Sequence, residues 1–251
     1  MQDIINQITP FNSINLNDLN KIVLSRRVDS KFIINTSDIT LLLSLINNYY
    51  DILEVKGNRI LKYSTVYFDT LKYNLYIDHH NNVLDRFKVR IRTYEKSNQS
   101  FLEIKKRTNK KTTEKVRIQI LKTDTLSAKH YNFIKANTYK YNNNLIKSIE
   151  NNFNRITLIS KNKNERISID FNINFLMVNK SLYLHNLVVL EIKREDVKLS
   201  GVILKALKSV NAQPIRFSKY CIGMSYIYPH LKQNNFKKIR LKIDKYVSDI
   251  K

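Results

Sequence analysis

The sequence predicts an α+β fold in a single domain: one closed antiparallel β-barrel built in two halves, with helical inserts. Three observations predict it. Strands expected at 86–95, 100–107 and 112–120 are joined by "KSNQ" and "TNKK", which are meander-length connections. No shift in composition marks a domain boundary along the 251 residues. Most strand-like stretches alternate charged and apolar residues, so each strand has one charged and one apolar face.

In chain order, "RRVDSKFII" (26–34) reads as a strand. "TSDITLLLSLINNYY" (36–50) opens on capping residues and spaces its apolar residues helically, which predicts a helix from about Ser37 to Asn47. "ILEVK" (52–56) and "RILKYSTVYFD" (59–69) are β-rich. "TLKYNLYIDHH" (70–80) reads as a short helix capped by Asp69 or Thr70. After the meander a helical stretch spans about Thr125 to Asn137, and a polar "KYNNN" loop follows. Strands resume at 154–160, 165–171, 173–178, 182–185 and 187–194. "SGVILKALKSV" (200–210) is an amphipathic helix with a Ser cap, and "SKYCIGMSYIY" (218–228) begins a final helix. The Lys-rich stretch 232–251 forms a basic tail.

Charge and composition narrow the function. Hydrophobic residues make up 43%, enough for a core. Lys and Arg number 44 against 21 Asp and Glu, a formal net charge of +23. Such an excess repels itself in the folded state and suits a polyanionic partner: nucleic acid, an anionic membrane surface or phosphate-rich small molecules. A proteome rich in Lys, Asn and Ile accounts for part of the surface Lys, but not for where the Arg residues sit. Gly and Pro number three each, and neither GxxxxGK[ST] nor GxGxxG occurs, which excludes P-loop and Rossmann chemistry at motif level. The one cysteine, Cys221, permits no disulfide framework within the chain and suits a reducing cytoplasm. The start has no secretory pattern and no run of 18 apolar residues occurs. The histidines lack zinc-ligand spacing, and His79–His80 reads as a local hydrogen-bonding pair.

"FKVRIRTY" (87–94) carries the sharpest question. Phe87, Val89, Ile91 and Thr93 share one face, while Lys88, Arg90, Arg92 and Tyr94 share the other. The pattern repeats. Arg27, Asp29 and Lys31 align, as do Phe101, Glu103, Lys105 and Arg107. Lys115, Arg117 and Gln119 form a third set, Arg155 and Thr157 a fourth. Arg166, Ser168 and Asp170 follow, then Val189, Glu191, Lys193 and Glu195. Two architectures satisfy this alternation. In one, the apolar faces form the core and the charged faces meet water. In the other, the charged faces line a lumen and the helices cover the apolar faces outside, which gives those helices a surface to pack on. Two like charges ~4 Å apart repel by about 4 kcal/mol at an effective dielectric near 20, so a cationic lumen implies a bound polyanion. Arg forks suit phosphate oxygens, and inward acids suit a divalent cation bridging to them. Periodicity alone leaves both architectures open.

The stretches "RVDSKF", "YSTVYFDT", "YIDHH", "RFKVRIRTY", "FLEIKKR", "EKVRI", "RITLIS", "RISID", "VVLEIK" and "RFSKYCIGM" occur in this order over about residues 20–230. In them the chain resembles the VTC domain, the polyphosphate polymerase branch of the CYTH-like triphosphate tunnel metalloenzymes. The resemblance implies a closed eight-stranded tunnel with a charged lumen, helices packed outside, and a single tunnel domain over 1–251. It implies that Arg90, Arg92, Lys105, Arg155, Arg166 and Lys219 act at the reacting phosphates. Arg27, Lys31, Lys88, Lys115, Lys193 and Ser218 would bind substrate. Glu191, with Glu103, would hold Mn²⁺ or Mg²⁺. Tyr67, Phe68 and Asp69 are expected to be structural. The triphosphatase branch begins with an E-x-E-x-K strand, whereas this chain reads R-V-D-S-K with Asp29 at one glutamate position. That departure fits the VTC branch and leaves few acids to activate water. The SPX domain and membrane helices of eukaryotic relatives are not found in this sequence, so neither inositol-phosphate control nor self-translocation of product is expected.

The implied activity is transfer of the ATP γ-phosphate to a growing polyphosphate chain. The attacking group is itself an anionic oxygen, which needs positioning and charge neutralisation more than a general base. A tunnel triphosphatase, acting on tripolyphosphate or a nucleoside triphosphate, and a non-catalytic polyphosphate-binding module are the alternatives. The aromatics do not cluster as a base-stacking platform, so a nucleic-acid partner is not expected. The basic tail, 231–251, has the composition to attract an anionic membrane or a membrane-embedded partner.

Overall fold

The structure of the protein, a computed structural model, describes residues 1–22, 28–110, 112–139, 144–195 and 198–247. Arg27 lies outside the described residues, as do 140–143 of the polar loop and 248–251 of the tail. Two helices not anticipated from the sequence, α1 (Gln2–Ile8) and α2 (Leu16–Lys21), flank the short strand β1 (Ser13–Ile14). β2 (Val28–Asn35) leads to α3 (Ile39–Ile46), which buries Ile39, Leu42, Leu43 and Ile46 along one stripe. β3 (Tyr50–Leu53), β4 (Leu61–Thr70) and α4 (Asn74–His80) follow. The meander is β5 (Arg86–Tyr94), β6 (Gln99–Arg107) and β7 (Thr113–Ile120), and α5 (Ala128–Asn137) succeeds it. Then come β8 (Leu145–Ser160), β9 (Glu165–Met177), β10 (Lys180–Leu184) and β11 (Leu187–Arg194). α6 (Gly201–Ser209), β12 (Gln213–Pro214), α7 (Lys219–Ile227) and α8 (Lys237–Val247) complete the order. Among the described residues no helix is long and apolar enough to cross a membrane.

Two strands expected at 165–171 and 173–178 are one strand with a bulge. Asn154 pairs with Phe171 and Asn152 with Asn174, so β9 holds one residue more than β8 over this span. Asn172 takes φ 52°, a left-handed conformation that Asn tolerates. The extra residue keeps the same face inward, so Arg166, Ser168 and Asp170 are continued by Ile173 and Phe175.

Among the described residues twelve strands form one sheet, and its main path runs β12-β2-β11-β9-β8-β4-β5-β6-β7. The sheet curls. β6 and β11 stand five places apart, about 24 Å in a flat sheet, yet the Glu191 carboxylate of β11 acts electrostatically on Lys105 of β6. Closure of the expected barrel is not seen among the described residues, where no ladder joins β2 to β7. Part of the β2 edge is taken by β12, whose Gln213 and Pro214 pair with Ile33 and Phe32. Ile215 then donates its amide to the Lys31 carbonyl. β7 is exposed over most of its length.

The layers settle which face is inside. Ile34, Val188, Ile192, Ile167 and Ile156 cluster with α1, α3 and α6 on the convex side. Val66, Phe68, Val89, Leu102 and Ile104 cluster with Leu75 of α4 and Ile134 of α5. The helices therefore cover the apolar faces, and the charged faces line the concave side. Helices pack on that concave side as well, with Leu19 of α2 and Ile243 of α8 in the same cluster as α7. α7 packs Tyr220, Met224 and Ile227 with Tyr67, Ile149, Phe153 and Phe175. At its closest approach stands Gly223, where a Cβ would meet the Phe175 ring at 2.5 Å and Ile149 Cδ1 at 2.8 Å.

Candidate active site

The concave face carries rows of cations set by strand register. Lys88, Lys105 and Lys115 stand abreast on β5, β6 and β7, and Arg90, Glu103 and Arg117 form the next row. Directly opposite like charges destabilise a sheet, so the lysine row is held together against its own repulsion. Outward neighbours Phe87, Val89, Leu102 and Ile104 are buried under α4 and α5, and their burial fixes the register that turns the cations inward.

Three inward acids each bind two cations. Glu103, fully buried, accepts Arg90 Nε at 2.8 Å and Nη2 at 2.6 Å on one oxygen, and Lys115 lies 2.5 Å from the other. Asp170 accepts Arg155 Nε at 2.5 Å and Nη2 at 2.8 Å, and pairs also with Lys219. Glu191 accepts Lys31 at 2.7 Å and has Lys193 at 3.5 Å. Burial opposes the ionisation of all three, but the facing cations outweigh it and hold every carboxyl below its ordinary range, Asp170 at about 2.

The cations outnumber these acids. Among the described residues Lys88, Arg92 and Lys105 have no carboxylate within ion-pair distance. Arg92 donates Nε to Thr65 Oγ1 at 3.3 Å and lies 5.8 Å from the centre of the Tyr63 ring. Burial, then the charge of Arg90, lowers its affinity for its proton. Arg90, burial and Arg92 together push the Lys105 ammonium down to about 5, against a weaker pull from Glu191. Burial likewise takes Lys219 down to about 8, with Asp170 opposing and Arg155 assisting. The concave face thus carries more cations than carboxylates to pair with them.

Most of the expected site residues come together here. Lys31, Lys88, Arg90, Arg92, Lys105, Lys115, Arg155, Lys193 and Lys219 all belong to this face. Arg166 lies on this face too, beside Lys193 of β11, and its Nη2 donates to the Leu19 carbonyl at 3.1 Å and the Ile22 carbonyl at 3.4 Å at the end of α2. Ser218 caps α7, accepting the Cys221 amide at 3.3 Å. Asp170 was not singled out from the sequence, although "RISID" places it two and four residues after Ser168 and Arg166 on one face. The aromatic floor was also not anticipated. Tyr63 stacks on Phe153 at 5.2 Å, Arg155 lies 5.1 Å from the Tyr63 ring centre, and Lys219 lies 4.3 Å from that of Phe153.

Glu191 and Glu103 differ as metal ligands. Both Glu103 oxygens are engaged by Arg90 and Lys115 in a fully buried position, which makes it a counter-ion rather than an open ligand. Glu191 is partly exposed and held only by lysines, whose point charges reorient readily. No group of three or more His, Cys, Asp or Glu gathers among the described residues. The donor set thus fits a hard divalent ion that takes one protein carboxylate and fills its shell with phosphate oxygens and water.

The profile of the family described as VTC domain matches residues 26–228. Two solved structures are similar in fold. One is a protein from Bacillus halodurans assigned as an adenylate cyclase, with TM-score 0.54 at 10% identity over 81% of this chain and 97% of that one. The other, from Hippeastrum, is assigned as an adenylyl cyclase and described as having a dominant triphosphatase activity; its TM-score is 0.51 at 12% identity, over 80% of this chain and 96% of that one. A search of the curated proteins found no match.

Proposed function

The chain belongs to the VTC domain family, and from that premise we propose that it is a polyphosphate polymerase, transferring the γ-phosphoryl group of ATP to the end of a polyphosphate chain in the concave cationic lumen. The observation that carries this reading is the state of the inward acids. Glu103, Asp170 and Glu191 are each held ionised by two cations, while Lys88, Arg92 and Lys105 are left for an incoming anion. Phosphoryl transfer between phosphates asks mainly for positioning and charge neutralisation. A terminal phosphate oxygen of the chain attacks the γ-phosphorus, the bond to the β-phosphate oxygen breaks, and ADP leaves.

In this reading Arg90, Arg92, Arg155 and Lys219 grip the reacting phosphates, and Lys31, Lys88, Lys115 and Lys193 hold the chain on either side. Lys105 gains a proton as the polyanion enters. Glu191 is the residue that would hold Mn²⁺ or Mg²⁺. When bound, such an ion neutralises charge on the phosphate oxygens. A triphosphatase needs a base for water. Lys105, held down to about 5, is a neutral amine in the empty lumen, but the arriving phosphates restore its proton and remove it from that role.

The test is one assay: ATP with Mn²⁺ or Mg²⁺, primed with short polyphosphate, following orthophosphate release and chain length together. Polymer formation is expected. Arg90→Ala or Arg92→Ala abolishes it, and Lys at either position recovers little because a point charge cannot replace the fork. Orthophosphate without polymer transfers the protein to the triphosphatase class. Tight polyphosphate binding with neither product makes it a binding module.

A further inference from the structure

Asp69 is fully buried at the end of β4 and contacts none of the lumen cations. Its carboxylate accepts the backbone amides of Thr70 at 2.7 Å, Leu75 at 2.9 Å and Tyr76 at 3.0 Å. The last two of these bonds fix it against the first turn of α4. Its remaining partner is the Tyr220 hydroxyl, across 151 residues of sequence. Tyr220 directly follows Lys219, whose ammonium pairs with Asp170 inside the lumen. The Tyr220 ring also stacks on Tyr67 at 5.0 Å, and the Tyr67 hydroxyl accepts Arg90 Nη1 at 3.4 Å.

We propose that Asp69, acting through the Tyr220 hydroxyl, is a positioning residue that sets where Lys219 meets the phosphates. Most of what seats α7 in the concavity is apolar: Met224 and Ile227 against Ile149, Phe153 and Phe175. Apolar burial is strong but non-directional, and the bonds that orient the C-terminal end of α7, from the Tyr228 hydroxyl to the Ser148 carbonyl at 2.7 Å and from Lys180 Nζ to the Ile227 carbonyl at 3.4 Å, lie about two turns away from Lys219. The bond from Tyr220 to a carboxylate itself clamped by three backbone amides supplies direction at the Lys219 end. Lys219 sits on the first turn of the same helix, one residue from the clamp, and a small shift there moves its ammonium off the Asp170 and Arg155 cluster. Displacements of about 1 Å remote from the chemistry are enough to cost function heavily.

The inference rests on the proposed function only in taking a triphosphate as ligand, and the experiment separates the two. Inorganic tripolyphosphate binding is measured by calorimetry for wild type, Tyr220→Phe, Lys219→Ala and the double variant, with folding checked by circular dichroism and melting temperature. Tyr220→Phe keeps the ring and its stacking and leaves Asp69 its three amide donors, so it avoids the collapse that Asp69→Ala invites. We expect Tyr220→Phe to weaken binding about five- to tenfold in the wild-type background and less than about twofold once Lys219 is alanine. An equal loss in both backgrounds, or no loss in the first, overturns the inference. A folded wild type that binds no tripolyphosphate overturns the proposed function instead.

Discussion

Lys105 is where the charges of the concave face conflict, since among the described residues no carboxylate lies within ion-pair distance of it. In the empty protein Arg90, burial and Arg92 hold it at about 5, so at neutral pH it is an uncharged amine among cations. In the unfolded chain it titrates near its ordinary 10.5. Between those values the unfolded state binds more protons than the native state, so the Lys105 contribution to stability rises with pH from about 5 towards 10.5. Lys105→Met removes this dependence. The variant should resist urea better than wild type at pH 6, with the two midpoints converging as the pH rises towards 10. A triphosphate reverses the local field, so binding at pH 7 should take up a proton in wild type and not in Lys105→Met, read as a dependence of binding enthalpy on buffer ionisation. Glu103 presents the opposite case. Glu103→Gln strands Arg90 and Lys115 without their counter-charge, which should cost about 3–5 kcal/mol by urea unfolding, partly regained when tripolyphosphate is added.

At the scale of elements, α7 links packing to the site. Gly223 gives its backbone room against Phe175 and Ile149, and both are rings or branches already fully buried. Gly223→Ala must push the helix outward or force those side chains off their rotamers, at about 1–3 kcal/mol. Because Lys219 rides on that helix, the alanine variant should lose tripolyphosphate affinity even at temperatures where it remains folded; unchanged affinity would detach the seat of α7 from the site. The sequence made some elements legible and hid others for physical reasons. β11 and α6 were read to within a residue, because alternation and a Ser200 cap are local signals. β8 was read short, since its first half, "LIKSIENNF", alternates polar Asn and Lys with apolar residues weakly. The bulge at Asn172 broke the period and split β9 in two. α7 is apolar nearly all round, which marks a helix buried on every side, but such a signal does not say what buries it. Asp170 shared a face with Arg166 in the sequence, and only the packing of helices on the opposite face could say that this face turned inward.

At the scale of the whole molecule, part of a net charge of +23 faces the concave side of the sheet, while many of the lysines lie exposed. Arg90 is buried and Arg155 half-buried, each against a single carboxylate, and the lysine row of β5, β6 and β7 has one acid, Glu103, beside it. The empty fold therefore stores repulsion that a polyanion relieves, and a ligand that binds only the native state stabilises it by mass action. At one hundred times its dissociation constant the gain is about 2.7 kcal/mol, which for a chain of this size raises the melting temperature by about 5–10 °C. Simple salt acts differently. Chloride at equal ionic strength screens the exposed lysines of β7 and α8 but reaches the buried pairs poorly, so its effect should be a small fraction of that shift. The comparison is made by thermal unfolding in tripolyphosphate, long-chain polyphosphate and sodium chloride matched in ionic strength, without ATP or divalent metal so that turnover does not intervene. Among the described residues no ladder joins β2 to β7, which sharpens the expectation for long chains. A lumen open along that side need not be threaded end to end, so long polyphosphate should stabilise at least as well per molecule as tripolyphosphate. Equal shifts from polyphosphate and chloride would mean that the cations of the concave face do not act together on a polyanion.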